Sequence, residues 1–124
     1  MKILDASAIL AFLKDEQGAE MVLAALESGS ACSAANWSEV AQKVRSAGAD
    51  WGLASSLLHS FDVTIEPVTA DDAERAAELW SPKAGLSLAD RLCLALADRK
   101  QTDALTADRA WSLLHPRVQL IRES

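Results

Sequence analysis

The chain has 124 residues, 50% of them apolar and 24% charged, which are the proportions of a folded unit with a buried core and not of a disordered or collagen-like chain. A formal net charge of −6 excludes a broad basic face as the means of gripping nucleic acid, so any phosphate it binds must be drawn by a bound cation or by a few local arginines. Residues 1–10, MKILDASAIL, carry an acid at position 5 and no separate apolar leader core; they read as a buried strand, and one domain over 1–124, cytoplasmic and not engaged with a membrane, is expected.

In chain order, Lys2, Ile3 and Leu4 form a short strand that ends at Asp5, and ASAILAFLK beyond it has helical spacing. Residues 17–27 read as a second helix with Met21, Val22, Ala25 and Leu26 on one face, stopped by Ser28-Gly29-Ser30. Ala31-Cys32-Ser33 is a strand. The helix after it, 36–47, repeats Trp37, Val40, Ala41 and Val44 at three and four residues and carries Glu39 near its start. Residues 51–61 are amphipathic and helical, and 63–65 are β-branched enough for a strand before the Glu66-Pro67 break. Thr69-Ala70-Asp71-Asp72 opens a helix that runs to Trp80; after a loop over 81–86, Ser87-Leu88-Ala89-Asp90 opens an almost wholly apolar helix that runs to Lys100. Residues 103–105 form a strand, Asp108 opens a short helix containing Trp111, and 118–121 form the last strand. Strands alternating with helices imply right-handed crossovers and an α/β fold: a three-layer α/β/α sandwich on a mostly parallel sheet of about five short strands.

Cys32 and Cys93 fall inside core elements and read as buried free thiols, with no Cys/His spacing for zinc. His59 and His115 stand alone and read as surface or helix-end residues. Residues 1–86 hold 13 acids and 6 bases, whereas 87–124 hold 5 and 6, so the cations available to a phosphate are Arg91, Arg99, Lys100, Arg109 and Arg117, which otherwise read as solvated helix faces. Trp37, Trp51, Trp80 and Trp111 occupy apolar helical positions and suit core or dimer packing. Of these, Trp111 is the one placed for stacking on a base.

The acids carry the chemistry. Asp5 and Asp108 sit where a strand hands over to a helix, Asp90 is the third residue of a capping pattern, and Glu39 lies early in a helix that follows a strand. Each has a structural role open to it as a cap or an exposed helix residue. A parallel sheet nevertheless gathers the carboxyl ends of its strands along one edge, where ligands bind. Carboxylates meeting there suit an oxygen-ligated divalent cation such as Mg²⁺ or Mn²⁺.

The segments Ile3-Leu4-Asp5-Ala6-Ser7-Ala8, Trp37-Ser38-Glu39-Val40, Gly85-Leu86-Ser87-Leu88-Ala89-Asp90 and Leu105-Thr106-Ala107-Asp108 resemble, in order and spacing, the four acidic motifs of the PIN domain. Over essentially the whole chain, length and spacing are similar to those of the VapC toxins. The resemblance implies a Mg²⁺- or Mn²⁺-dependent endoribonuclease acting on tRNA or rRNA, a homodimer, and a VapB-like antitoxin partner. Asp5, Glu39, Asp90 and Asp108 match the metal-binding acids, and Ser7 and Thr106 match hydroxyl positions that support them. Trp37 departs from the pattern, where a smaller aliphatic residue is expected. Two other readings are a non-catalytic PIN-like interaction module and a phosphoacceptor receiver domain; the latter needs an Asp ending the third strand and a Lys ending the fifth, which this chain lacks.

Overall fold

The computed structural model describes residues 1–122. Five strands, β1 (Lys2–Leu4), β2 (Ser30–Ser33), β3 (Thr64–Glu66), β4 (Ala104–Thr106) and β5 (Val118–Leu120), pair in parallel in the order β3-β2-β1-β4-β5. Between them run α1 (Ala6–Leu13), α2 (Ala19–Ser28), α3 (Ala34–Ser46), α4 (Trp51–Ser60), α5 (Ala70–Glu78), α6 (Leu88–Lys100) and a 3-10 segment, Arg109–Leu113. The α/β class is as expected. The strand order differs from the 2-1-3-4-5 order of receiver domains, which removes that alternative.

Side chains alternate across the short strands, and the sheet therefore has two cores. Ile3, Ala31 and Ala104 pack on one face with Cys93, Leu94, Leu96 and Ala97 of α6 and with Trp111. Leu4, Cys32 and Leu105 pack on the other with Ile9, Val22, Leu26, Val40 and Leu58. Every residue of α6 from Leu92 to Ala97 is buried, because the helix has the sheet on one side and α5 on the other. Truncating Leu94 or Leu96 to Ala there costs about 2–5 kcal/mol.

Several boundaries move, each for a local reason. The second helix begins at Ala19, two residues late, because Gly18 holds φ +97 and passes so close to β5 that a Cβ would come within 2.7 Å of the Ile121 carbonyl oxygen. β3 is shifted by one residue, so Glu66 lies within it, and its carboxylate reaches Lys100 Nζ at 2.8 Å. α5 ends at Glu78, and Trp80, expected within that helix, lies beyond it, 60% exposed. Its N–H closes the final turn onto Ala77 O, and Pro82 disfavours continued helix at Ser81.

The other tryptophans divide. Trp111 is 1% exposed and packs in the core, so the stacking role suggested for it is not available in this structure. Trp37 meets Trp51 edge-on at 5.1 Å and His59 at 5.3 Å, so this unusual residue serves to close α3 onto α4.

The edge from which β1, β4 and β5 start is neutralised by ion pairs. Asp72, the N3 residue of a capping box with Thr69, receives Arg99 through Nε at 2.9 Å and Nη2 at 3.1 Å. Burial pushes the Asp72 carboxyl up, but Arg99 and the Thr69 N–H outweigh it and hold it below the ordinary value. Asp98 gathers Arg75 at 3.0 Å, His115 at 3.0 Å and Arg117 at 3.6 Å. His115 is thus a correction: it is buried, its Nδ1 accepting from the Arg117 N–H at 3.1 Å and its Nε2 left to donate to Asp98. Arg99, Lys100 and Arg117 are likewise paired and not freely solvated. Among the described residues no helix is long and apolar enough to cross a membrane.

Candidate active site

β1 runs out at Leu4, and the next residue, Asp5, is the N-cap of α1, accepting from the Ala8 N–H at 2.8 Å. Ser7 Oγ lies 2.8 Å from Asp5 Oδ1 and 2.9 Å from Oδ2, and donates to the carboxylate. Thr106, the last residue of the adjacent strand β4, donates to Oδ2 at 2.6 Å. Ser7 Oγ accepts in turn from the Ala107 N–H at 2.9 Å, and Thr106 Oγ1 from the Asp108 N–H at 3.1 Å. Asp5 is 4% exposed. Burial raises its pKa to about 6, against the lowering effect of Thr106, Ala8 and Ser7, and the charge of Asp90 adds to the rise.

Glu39 is half-buried on α3 and accepts from Asn36 Nδ2 at 3.0 Å. Asp90 is half-buried in the first turn of α6, where it forms a capping box with Ser87 (N–H to Oδ2 3.0 Å, Asp90 N–H to Ser87 Oγ 3.1 Å). The buried Cys93 thiol is held well above its ordinary pKa by burial and by the charges of Asp5, Cys32, Asp90 and Glu39. Asp108 is placed differently. It is exposed, caps the 3-10 segment through Ala110 N–H at 3.0 Å, and connects to Asp5 through Thr106. The fold therefore sets Asp5 and Asp108 just beyond the carboxyl ends of β1 and β4, at the β1/β4 switch point, with Glu39 early in α3 and Asp90 in the first turn of α6.

Shielded acids in a fold ordinarily find cations. Among the described residues, the acids that are not fully exposed are Asp5, Glu39, Glu66, Asp72, Asp90, Asp98 and Asp103. Glu66, Asp72, Asp98 and Asp103 each pair with Lys, Arg or His. Asp5, Glu39 and Asp90 have no such partner. These three are left without a basic partner, and their donors are all oxygen, the chemistry that suits a hard divalent cation. Among the described residues no three Asp, Glu, His or Cys side chains close around a single point. A hydrated Mg²⁺ or Mn²⁺ keeps several waters and takes one or two carboxylates directly, so it does not require such closure.

Asn36 was not legible as a site residue from the sequence. Its one signal is a polar residue one helical turn before Glu39.

A PIN-domain family profile matches residues 2–114. The chain belongs to the PIN-domain family. Among solved structures, this PIN domain is similar to a chain from a Klebsiella pneumoniae toxin–antitoxin complex, with a TM-score of 0.80, 22% identity and full coverage of both chains. It is also similar to Mycobacterium tuberculosis VapC20, a sarcin–ricin-loop-cleaving toxin, with a TM-score of 0.74, 20% identity, and coverage of 91% of this chain and 94% of that one. At these identities the likeness establishes the fold. No curated protein matches the sequence.

Proposed function

We propose that this PIN domain is a Mg²⁺- or Mn²⁺-dependent endoribonuclease and the toxin of a VapC-type toxin–antitoxin pair. The observation that carries the reading is the set of three shielded carboxylates, Asp5, Glu39 and Asp90, with no cation of their own at the carboxyl edge of a PIN fold. A divalent ion bound there supplies neutralisation of a scissile phosphodiester and activation of an attacking water. The chain's own part is positioning. Ser7, Thr106 and the Ala8 N–H fix the Asp5 carboxylate, Asn36 fixes Glu39, and Ser87 fixes Asp90. Asp108, exposed beside the Thr106 that holds Asp5, would supply a further carboxylate to the ion.

The two structural neighbours support the partners: one lies in a toxin–antitoxin complex and the other cleaves the sarcin–ricin loop, which favours structured cellular RNA as substrate class, rRNA ahead of tRNA. An antitoxin Arg entering the cleft suits three unpaired carboxylates, because a guanidinium fork matches them and displaces a metal. A groove of about 380 Å³ between α1, α3 and α4, lined in part by Leu10, Leu13, Val44, Leu53 and Leu57, and exposed Trp80, Leu88 and Leu114 provide apolar surface for that partner and for a second copy in a homodimer.

The test is cleavage of total cellular RNA with Mn²⁺, with and without chelator, by wild type and by Asp90→Asn. Folded Asp90→Asn should lose nearly all cleavage. Cleavage by that variant at the wild-type rate, or in chelator, would sink the assignment. A non-catalytic module predicts no new RNA ends under any of these conditions.

A further inference from the structure

Trp111, the tryptophan whose place in the sequence suits stacking on a base, is buried, and Trp37 and Trp51 close α3 onto α4. Of the four tryptophans, Trp80 alone is mostly exposed, at 60%. Its place in the fold follows from how α5 pairs with α6. The two helices run antiparallel: Asp72 near the start of α5 meets Arg99 near the end of α6, Arg75 meets Asp98, and the Ala76 carbonyl accepts from Arg91. The end of α5 therefore lies beside the first turn of α6, the turn that carries Asp90, and Trp80 follows two residues after α5 ends.

The charges at this end of α6 differ from those at the other. There Arg75, Arg99, Lys100 and Arg117 are all paired with acids. Lys83 and Arg109 are exposed, and among the described residues no acid pairs with either. Both belong to segments that adjoin the acids: Lys83 to the loop that leads from Trp80 to the Ser87 cap of α6, and Arg109 to the position directly after Asp108. A chain of net charge −6 with acids in its cleft repels a polyanion, so RNA needs local cations near that cleft. An exposed indole near unpaired cations is the combination that holds a single strand of nucleic acid, since every base has a π face to stack and every phosphate a charge to neutralise. A second copy of the chain is the rival occupant, but protein interfaces are depleted of Lys.

We propose that Trp80 is a base-stacking contact for RNA beside the cleft, with Lys83 and Arg109 as the cations that hold the RNA backbone. The choice of RNA as ligand rests on the reading of the chain as a ribonuclease.

The probes are a fluorescein-labelled single-stranded oligoadenylate and an abasic ribose-phosphate oligomer of the same length. Binding is followed by fluorescence anisotropy in chelator. Wild type should bind the oligoadenylate about tenfold more tightly than the abasic oligomer. Trp80→Ala should bind the two alike while melting as wild type does, and Trp80→Phe should restore part of the preference. Lys83→Ala and Arg109→Ala should each weaken binding of both oligomers and make the slope of log affinity against log salt shallower by about 0.7. Trp80→Ala should leave that slope unchanged. An undiminished base preference in folded Trp80→Ala, or none in wild type, overturns the stacking contact. So does light scattering in which Trp80→Ala turns a wild-type dimer into a monomer. Cleavage of total cellular RNA with Mn²⁺ is scored in parallel: its absence from wild type, with the base preference intact, overturns the nuclease and upholds the RNA contact.

Discussion

Thr106 Oγ1 donates to Asp5 Oδ2 across 2.6 Å, so the last residue of β4 holds the carboxylate that follows β1. The same hydroxyl oxygen accepts from the Asp108 N–H. One small side chain thereby joins two neighbouring strand ends and sets the distance between the buried acid and the one at the rim.

Thr106→Val tests that joint. The substitution keeps volume and β-branching but leaves Asp5 short of a donor and the Asp108 N–H without an acceptor. A loss of roughly 1–3 kcal/mol in urea unfolding is expected, together with about tenfold weaker Mn²⁺ binding. A variant as stable as wild type, with the same affinity, would show the bond to be incidental.

The buried Asp5 makes apo stability depend on pH. Its folded pKa of about 6 exceeds the ordinary 3.8, so the folded state binds the proton more tightly than the unfolded chain does. The stabilisation from that proton is complete below about pH 3.8 and is lost as pH rises through about 6. In chelator, stability should fall by on the order of 2–3 kcal/mol between pH 4 and pH 7. Asp5→Asn should flatten that slope and melt as high as wild type or higher at pH 7. Asp72 has the opposite sign. Its depressed pKa contributes stability above the ordinary carboxylate range and loses it at lower pH, outside the window where Asp5 acts. A wild-type curve flat from pH 4 to pH 7 contradicts the Asp5 environment.

Both thiols should be inert in the native state. Burial pushes Cys32 up to about 12 and Cys93 well above its ordinary value, and the thiolate is the reactive form. Neither residue should react with a thiol reagent at pH 8 until the protein is unfolded, when both react. Rapid labelling of either one in folded protein would show that the core around it opens.

Asp98→Asn separates stability from chemistry. It weakens the anchor for Arg75, His115 and Arg117 at the edge opposite the acids, and should cost roughly 1–3 kcal/mol. RNA cleavage well below the melting range should remain within about twofold of wild type, because Asp98 lies about 12 Å of helix along α6 from Asp90, beyond hydrogen-bond reach and about one Debye length in physiological salt. A hundredfold loss of cleavage in the folded variant would show that the two edges are coupled.

The elements were legible because they depend on short-range signals: β-branched runs, helical spacing, and Asp or Ser at the start of a helix. Asp5 and Asp90 announce themselves as caps, and parallel strand order carries both to one edge. Asn36 was not legible, because Asn near a helix start is ordinary and its burial follows from packing that no local pattern records. The same holds for His115, whose partner Asp98 is 17 residues away, and for Arg99 with Asp72 at 27. Trp80 was misplaced because its apolar character fits the helical pattern while the turn ending α5 and the nearby Pro82 take it out of the helix.

Asp90 rides on the exposed first turn of α6. Its bonds to Ser87 are open to solvent, and Leu88 beside it is 58% exposed. The next residue is better tied, with Arg91 Nη1 bonded to Ala76 O at 2.8 Å, and from Leu92 onward the helix is buried. Such a turn frays while the rest of the domain stays folded. Opening of that turn would carry one negative charge out of the cleft, and a cation held by Asp90 would tie down the end of the helix.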